Sequence, residues 1–214
     1  MSECIIVSAG DFAPEDLHKK AGDIIIAADN GLAHLDAMGA APDYIIGDYD
    51  SLGDEERPGL EAFRARCPDR ERTLPKAKDD TDTMAAVRWG FELGFTQFRL
   101  YGALGGCRID HTIANLQTLM FIRSQGGRGV ILDARQEVFL LRDAAFEFAA
   151  GRKGMFSLFS VDPVITVTIR GMLFNCENYE ITYDFPIGCS NEFLPDRAAY
   201  VEVRGGTALL VAQR

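Results

Sequence analysis

The sequence predicts an α/β protein: an N-terminal α/β domain with a mostly parallel sheet, followed by an all-β C-terminal sandwich domain. Three observations lead there. Short apolar runs alternate with helix-spaced segments up to Asp133, strict period-two alternation replaces that rhythm afterwards, and glycine-containing turns punctuate the second part. With 214 residues, 47% of them apolar, the chain has ample material for a buried core.

Taken in order, Cys4–Val7, Ile24–Ala28, 44–46, Gln97–Tyr101 and 130–132 read as buried strands and the segments between them as helices, the βαβ rhythm of a parallel sheet. Thr81 can cap a helix whose Met84, Val87 and Phe91 fall on one face, with Gly94 just past its end. A second helix spans 112–124, with Ile113, Leu116 and Met120 on one stripe and Gly126-Gly127 as its stop. Beyond Asp133, Ile165, Val167 and Ile169 alternate with polar neighbours, and so do Tyr179, Ile181, Tyr183 and Phe185. Phe146/Phe148, 155–159, Val201/Val203 and 208–211 add short strands, separated by turns such as Arg170-Gly171-Met172 and Arg204-Gly205-Gly206. About seven or eight such strands suggest an antiparallel sandwich. A boundary near 134–143 divides the chain into domains 1–135 and 136–214.

A net charge of −10 argues against nucleic acid as a partner, since phosphate backbones are held by clustered Lys and Arg. No run approaches a membrane span, and Met1-Ser2-Glu3-Cys4 lacks the basic start of a secretory leader, so a cytoplasmic protein is expected. Five scattered cysteines form no C-x-x-C pair and indicate neither a disulfide framework nor a zinc site. The P-loop, the full G-x-G-x-x-G, H-E-x-x-H and G-x-S-x-G are all missing, which removes the main sequence support for P-loop kinases, dehydrogenases, zinc hydrolases and serine hydrolases.

Polar clusters follow predicted strands or open the next helix, at the carboxyl edge where open α/β sheets bind ligands. They are Ala28-Asp29-Asn30-Gly31, Gly47-Asp48-Tyr49-Asp50-Ser51, Lys78-Asp79-Asp80-Thr81-Asp82 and Gly105-Gly106-Cys107-Arg108-Ile109-Asp110-His111. A glycine at a helix start lets backbone N–H groups approach a phosphate. Any one Asp here is explained by turn formation or helix capping. Capping does not explain three carboxylate clusters and an arginine on one edge, because gathered carboxylates repel unless a cation is shared. Oxygen-only ligands favour Mg²⁺, and Arg108 offers a planar cation to phosphate. His18 reads as solvent-facing, His34 sits on a helix, and His111 alone adjoins a candidate site.

In this order the motifs resemble the thiamine pyrophosphokinase family: Ala28-Asp29-x-Gly31, Pro42-Asp43 through Gly47-Asp48-Tyr49-Asp50-Ser51, Asp79-x-Thr81-Asp82, Arg108-x-Asp110-His111, Glu177-Asn178, and Ser190-Asn191-Glu192-Phe193. The resemblance spans nearly the whole chain. It implies a homodimer with thiamine between the α/β domain of one subunit and the sandwich of the other, and ATP with Mg²⁺ on the acidic edge. The hydroxyethyl oxygen of thiamine would attack the β-phosphorus, giving thiamine diphosphate and AMP. By position, Asp48, Asp50, Asp79 and Asp82 match the magnesium and pyrophosphate carboxylates. Arg108 and Asp110 match the pair that steadies the transferred group. Asp29, Gly31, Gly105, Gly106, Arg108 and His111 fall on the ATP side, Ser190 and Asn191 on the thiamine side. The general base is left between Asp82 and Asp50.

The chain departs from the family pattern at Asn30, where many relatives carry glycine, at Tyr49, where Phe is common, and at Gly105-Gly106-Cys107-Arg108, where Gly-Gly-Arg is usual. Cys107 is either inserted or replaces the second glycine. Lys78 is either a phosphate contact or a solvated lysine. Rival readings are pyrophosphoryl transfer to a pterin-type alcohol, a non-catalytic thiamine or nucleotide sensor, and a metal-dependent phosphohydrolase.

Overall fold

The structure is a computed structural model that describes residues 1–49, 53, 57–75 and 79–214. It separates into two compact units, Met1–Ala134 and Arg135–Arg214. Among the described residues no helix is long and apolar enough to cross a membrane.

In the first unit β1 (Cys4–Val7) is central and every residue in it is buried. It pairs in parallel with β2 (Ile24–Ala28) on one side and β5 (Gln97–Tyr101) on the other. β3 (Tyr44–Gly47) and β4 (Glu71–Thr73) continue beyond β2, and β6 (Arg128–Leu132) beyond β5, all parallel. The order is therefore β6-β5-β1-β2-β3-β4, with the winding direction reversing between β1 and β5. Alternation along the strands sends Ile5, Val7, Ile25, Ala27 and Ile45 into one core with Leu32 and Leu35 of α1 (Gly31–Ala37) and Leu60 and Phe63 of α2 (Arg57–Arg66). Cys4 and Phe98, turned the other way, meet Gly90 of α3 (Asp82–Glu92), while α4 (Ile109–Ser124) lies against β6. Helices cover both faces, which is why these strands read as unbroken apolar runs.

Thr81 caps α3 as the sequence requires: its hydroxyl oxygen accepts from the Met84 amide at 3.2 Å. The buried face of that helix is Thr83, Ala86, Val87, Trp89 and Gly90 rather than the Met84–Val87–Phe91 stripe. α4 starts at Ile109, a turn earlier than the apolar stripe suggests.

The second unit is antiparallel throughout: β7 (Gln136–Phe148), β8 (Met155–Ser160), β9 (Val164–Arg170), β10 (Cys176–Thr182), β11 (Asn191–Glu192) and β12 (Ala199–Gln213). β12 pairs with β7 along its length, with β9 over its first half and β8 over its second. The predicted turn at Arg204-Gly205-Gly206 is instead a bulge inside one long strand. The Asp143 carboxylate holds it, accepting from the amides of Gly205 at 2.8 Å and Gly206 at 3.2 Å. The bulge rephases the strand, so that Val201 and Val203 before it and Ala208, Leu210 and Ala212 after it all face the same core. β10 ends at Thr182, short of the alternation that runs on to Phe185. Pro186 lacks the N–H a ladder needs, and Tyr183 and Phe185 stay exposed.

Candidate active site

A cleft of about 380 Å³ opens at the carboxyl ends of β1 and β5, where the strand order reverses. Open α/β sheets bind ligands at that topological position. One wall is the glycine-rich loop that leaves β5, 102–106, with Gly102, Gly105 and Gly106 at φ of 61°, 71° and 74°. The loop leaving β1 laces onto it: the amides of Ser8, Gly10 and Asp11 donate to the carbonyls of Tyr101, Gly102 and Leu104 at 2.8, 2.7 and 2.9 Å. Asp11 Oδ1 in turn accepts from the Gly106 amide at 3.2 Å. Behind the loop, His34 Nε2–H donates to the Gly10 carbonyl at 3.0 Å and its ring stacks on Phe12.

The other wall carries Asp29 and Asn30 after β2 and Asp82 and Thr83 at the start of α3. Asp29 takes a left-handed φ of 49°, and its amide donates to the Ile46 carbonyl at 2.8 Å. Gly47 lies so close to it that a Cβ there would stand 3.0 Å from the Asp29 Cα. The loop bearing Asp48 is thereby pressed against Asp29. Burial pushes the Tyr49 phenol well up, with the charges of Glu71, Asp29 and Asp82 adding to the effect and Arg64 opposing it. Asp29 and Asp82 both line the cleft.

At the mouth, Arg108 precedes α4 and lines the cleft with Cys107 and His111. Its guanidinium forks onto Asp110, Nη2 to Oδ2 at 2.5 Å and Nε to Oδ1 at 3.3 Å. The hydrogen bond from Arg108 holds the Asp110 carboxyl below the usual range. Both side chains stay exposed, so the guanidinium N–H groups not used by Asp110 are open to an anionic ligand.

Of the sequence-based candidates, Asp29, Asp82, Gly105, Gly106, Arg108 and His111 line the cleft. Asp48 is not part of that lining; it follows Gly47, whose backbone packs against Asp29. Asp79 is exposed outside the lining, and its neighbour Asp80 pairs with Arg88 at 2.8 Å. Asp50 and Lys78 lie outside the described residues. Gly31, expected to open a helix toward phosphate, serves packing: a Cβ there would sit 1.9 Å from the Val7 carbonyl oxygen, so α1 can seat on β1 only with glycine at that point. In the second unit, Ser190 is exposed at φ 63°, its amide donating to Ser157 Oγ at 3.1 Å. Asn191 is buried, and its amide is engaged with main chain. Oδ1 accepts from the amides of Phe174 at 3.0 Å and Glu192 at 2.9 Å, and Nδ2 donates to the Phe174 carbonyl at 2.8 Å.

Sequence reasoning missed three buried polar residues in the lining. Ser8 and Thr83 share a hydroxyl hydrogen bond of 2.8 Å between the end of β1 and α3. Asn115 donates to the Ala103 carbonyl at 2.8 Å and fixes the glycine-rich loop. The signal for Ser8 was in view, a small polar residue directly after an apolar strand; Thr83 and Asn115 look in the sequence like ordinary helical positions.

Two family models match. "Thiamin pyrophosphokinase, catalytic domain" covers residues 16–131 and "Thiamin pyrophosphokinase, vitamin B1 binding domain" covers 147–207. The thiamine pyrophosphokinase of Bacillus subtilis is 25% identical over 183 residues, 84% of this chain and 83% of the relative. Among solved structures, a B. subtilis thiamine pyrophosphokinase superposes with a TM-score of 0.82 at 22% identity, over 100% of this chain and 99% of that one. The enzyme from Geobacillus thermodenitrificans gives 0.81 at 22% identity, over 100% and 98%. Yeast thiamin pyrophosphokinase gives 0.76 at 15% identity, over 100% and 86%. These likenesses show a shared fold.

Proposed function

This chain belongs to the thiamine pyrophosphokinase family, and from that membership we propose that it transfers a pyrophosphoryl group from ATP to thiamine, releasing AMP and thiamine diphosphate. The observation that carries the reading is the cleft at the β1/β5 reversal, which opposes a glycine-rich loop and Arg108 to Asp29 and Asp82. ATP enters that cleft. The guanidinium N–H groups of Arg108 that Asp110 leaves free take phosphate oxygens, with Asp110 fixing the guanidinium plane, and the glycines of the 102–106 loop let the polyphosphate approach the backbone. The thiamine hydroxyl oxygen bonds to the β-phosphorus as the bond from that phosphorus to the α-phosphate oxygen breaks, and AMP leaves with the electron pair. A carboxylate takes the hydroxyl proton, Asp82 or Asp50.

Mg²⁺ fits the donor set. Among the described residues no three His, Cys, Asp or Glu side chains converge into an all-protein cage. Mg²⁺ commonly uses one or two carboxylates together with substrate phosphates, and Asp29 and Asp82 line the cleft as such a pair. When bound it would neutralise phosphate charge. Asp79 serves this edge only from its rim.

Residues 1–135 are read as the nucleotide domain and 136–214 as the thiamine-binding and dimerisation domain of a homodimer. Ser190 would contact thiamine directly, and Asn191 would act by holding Phe174. Light scattering that finds a monomer at working concentrations refutes the dimer.

The test is to mix the protein with ATP, Mg²⁺ and thiamine and resolve the products by chromatography, beside Asp82→Asn. Equal amounts of AMP and thiamine diphosphate are expected, falling about 10²–10⁴-fold in the variant if Asp82 is the base. ADP with thiamine monophosphate, or ATP hydrolysis that ignores thiamine, overturns the proposal.

A further inference from the structure

The residue between the two loop aspartates is held in an unfavourable conformation by a device that the transfer chemistry does not use. Tyr49 has a φ of 56° and is 5% exposed, a left-handed backbone carrying a bulky buried ring. Such a conformation persists only where the surroundings impose it. The Tyr49 hydroxyl is not the anchor, since it is buried and finds no hydrogen-bond partner among the described residues. The ring is the part that is gripped. It packs in the core of β1–β3, α1 and α2, and the Arg64 guanidinium lies over it, 5.3 Å from the centroid.

Arg64 is itself fixed. From the last turn of α2 it reaches Glu71, the first residue of β4, with Nε 2.8 Å from Oε1 and 2.9 Å from Oε2, and Nη2 2.6 Å from Oε1. Thr73 donates to Glu71 Oε1 at 2.9 Å from the same strand. That strand pairs with β3 at Gly47↔Thr73, and the Leu74 amide donates to the Gly47 carbonyl at 2.8 Å. The two residues on either side of this grip, Gly47 and Tyr49, bracket Asp48.

We infer that Arg64 is a positioning residue for the reaction: clamped by Glu71, it holds the Tyr49 ring and so fixes the left-handed residue that follows Asp48, the carboxylate that the proposed function assigns to the phosphate edge. The inference rests on the proposed function for the role of Asp48. A purely structural role, an ion pair tying α2 to β4, is the alternative, and the fold supplies its own control. Arg72, the neighbour of Glu71 in β4, stacks over Trp89 at 4.3 Å from the centroid and pairs with Glu92 at 2.7 Å. It is the same kind of contact, an arginine over an aromatic ring with a glutamate partner, but the ring is Trp89 rather than Tyr49.

The experiment compares Arg64→Met with Arg72→Met in the full chain. It measures melting temperature, kcat, KM for thiamine, and Mn²⁺ uptake without nucleotide by electron paramagnetic resonance. Both variants are expected to melt lower. Arg64→Met alone is expected to bind Mn²⁺ about 10–100-fold more weakly, the range for losing a group that orients a metal ligand, and to lose kcat with KM for thiamine unmoved. Arg64→Lys keeps the charge but not the flat fork and falls between the two, which preserves the test if Arg64→Met does not fold. Arg64 variants that match Arg72→Met in Mn²⁺ affinity and kcat overturn the inference, as does parent protein that takes up no Mn²⁺. Parent that binds Mn²⁺ but forms no thiamine diphosphate refutes the proposed function instead, while the Mn²⁺ comparison still decides the role of Arg64.

Discussion

Asn191 matches the thiamine side of the family pattern, yet its amide is occupied by the protein's own backbone, and Asn191→Ala separates the two roles. The side chain is 8% exposed and makes three hydrogen bonds: from the Phe174 amide, to the Phe174 carbonyl, and from the Glu192 amide. At about 1 kcal/mol net for each bond, truncation costs about 3 kcal/mol. In a chain of this length each kcal/mol moves the melting temperature by about 2–4 °C, so a fall of about 6–12 °C is expected by calorimetry. KM for thiamine should rise as a secondary effect, since Phe174, 65% exposed, loses the bonds that hold its main chain. Asn191→Asp keeps the acceptor for the two amides but turns an oxygen on the Phe174 carbonyl, so it too should melt lower. A large rise in KM for thiamine with a melting temperature equal to the parent's would refute the clamp and make Asn191 a direct ligand.

Other outcomes follow from local geometry. Gly31→Ala places a methyl 1.9 Å from the Val7 carbonyl oxygen and should exceed the usual overpacking loss of about 1–3 kcal/mol. Gly39→Ala, at φ 70° with open space around it, should lose only about 1 kcal/mol; equal urea midpoints for the two would contradict the packing role of Gly31. The Arg64 hydrogen bond holds the Glu71 carboxyl below its ordinary 4.5. A depressed carboxylate contributes stability that is complete above the unfolded value and lost as pH falls through the folded one. Parent and Glu71→Gln should therefore differ in urea midpoint at neutral pH and converge below about pH 4.5; a gap that widens on acidification refutes the pairing. Hydrogen bonds from Ser190 and Ser157 lower the pKa of the exposed Cys189 thiol, whereas burial raises that of Cys4. Iodoacetamide at pH 8 should label Cys189 well before Cys4, as read by peptide mass spectrometry.

What the sequence disclosed follows from which physical signals leave a one-dimensional trace. Burial on both faces writes β1, β2, β3, β5 and β6 as apolar runs, and these were legible. β4 is Glu-Arg-Thr, an edge strand with no apolar period, and nothing local marks it. A glycine pair reads as a turn, and only the cross-strand Asp143 carboxylate makes Gly205-Gly206 a bulge. The site divides similarly. Asp29, Asp82 and Arg108 line the cleft, because motif position after a strand selects an edge of the sheet. Side-chain direction is not encoded that way, so Gly31 turned out to face β1, Asp79 lies outside the lining, and Asn191 points into its own backbone.

Strand order adds what motif position cannot. Because β1 lies between β2 and β5, the loops that meet over its end come from opposite halves of the sheet and carry opposite chemistry. From the β2 side comes Asp29, joined by Asp82 of α3; from the β5 side come the 102–106 loop and Arg108. A polyphosphate laid across the end of β1 would meet the glycine-rich loop and a guanidinium on one flank and carboxylates on the other. The carboxylates repel it unless a cation intervenes, so the two flanks impose different requirements on the two ends of the chain. A net charge of −10 does not exclude an anionic ligand, because Arg108 offers a local attraction and, under the proposed function, Mg²⁺ would offset the charge of the acidic flank.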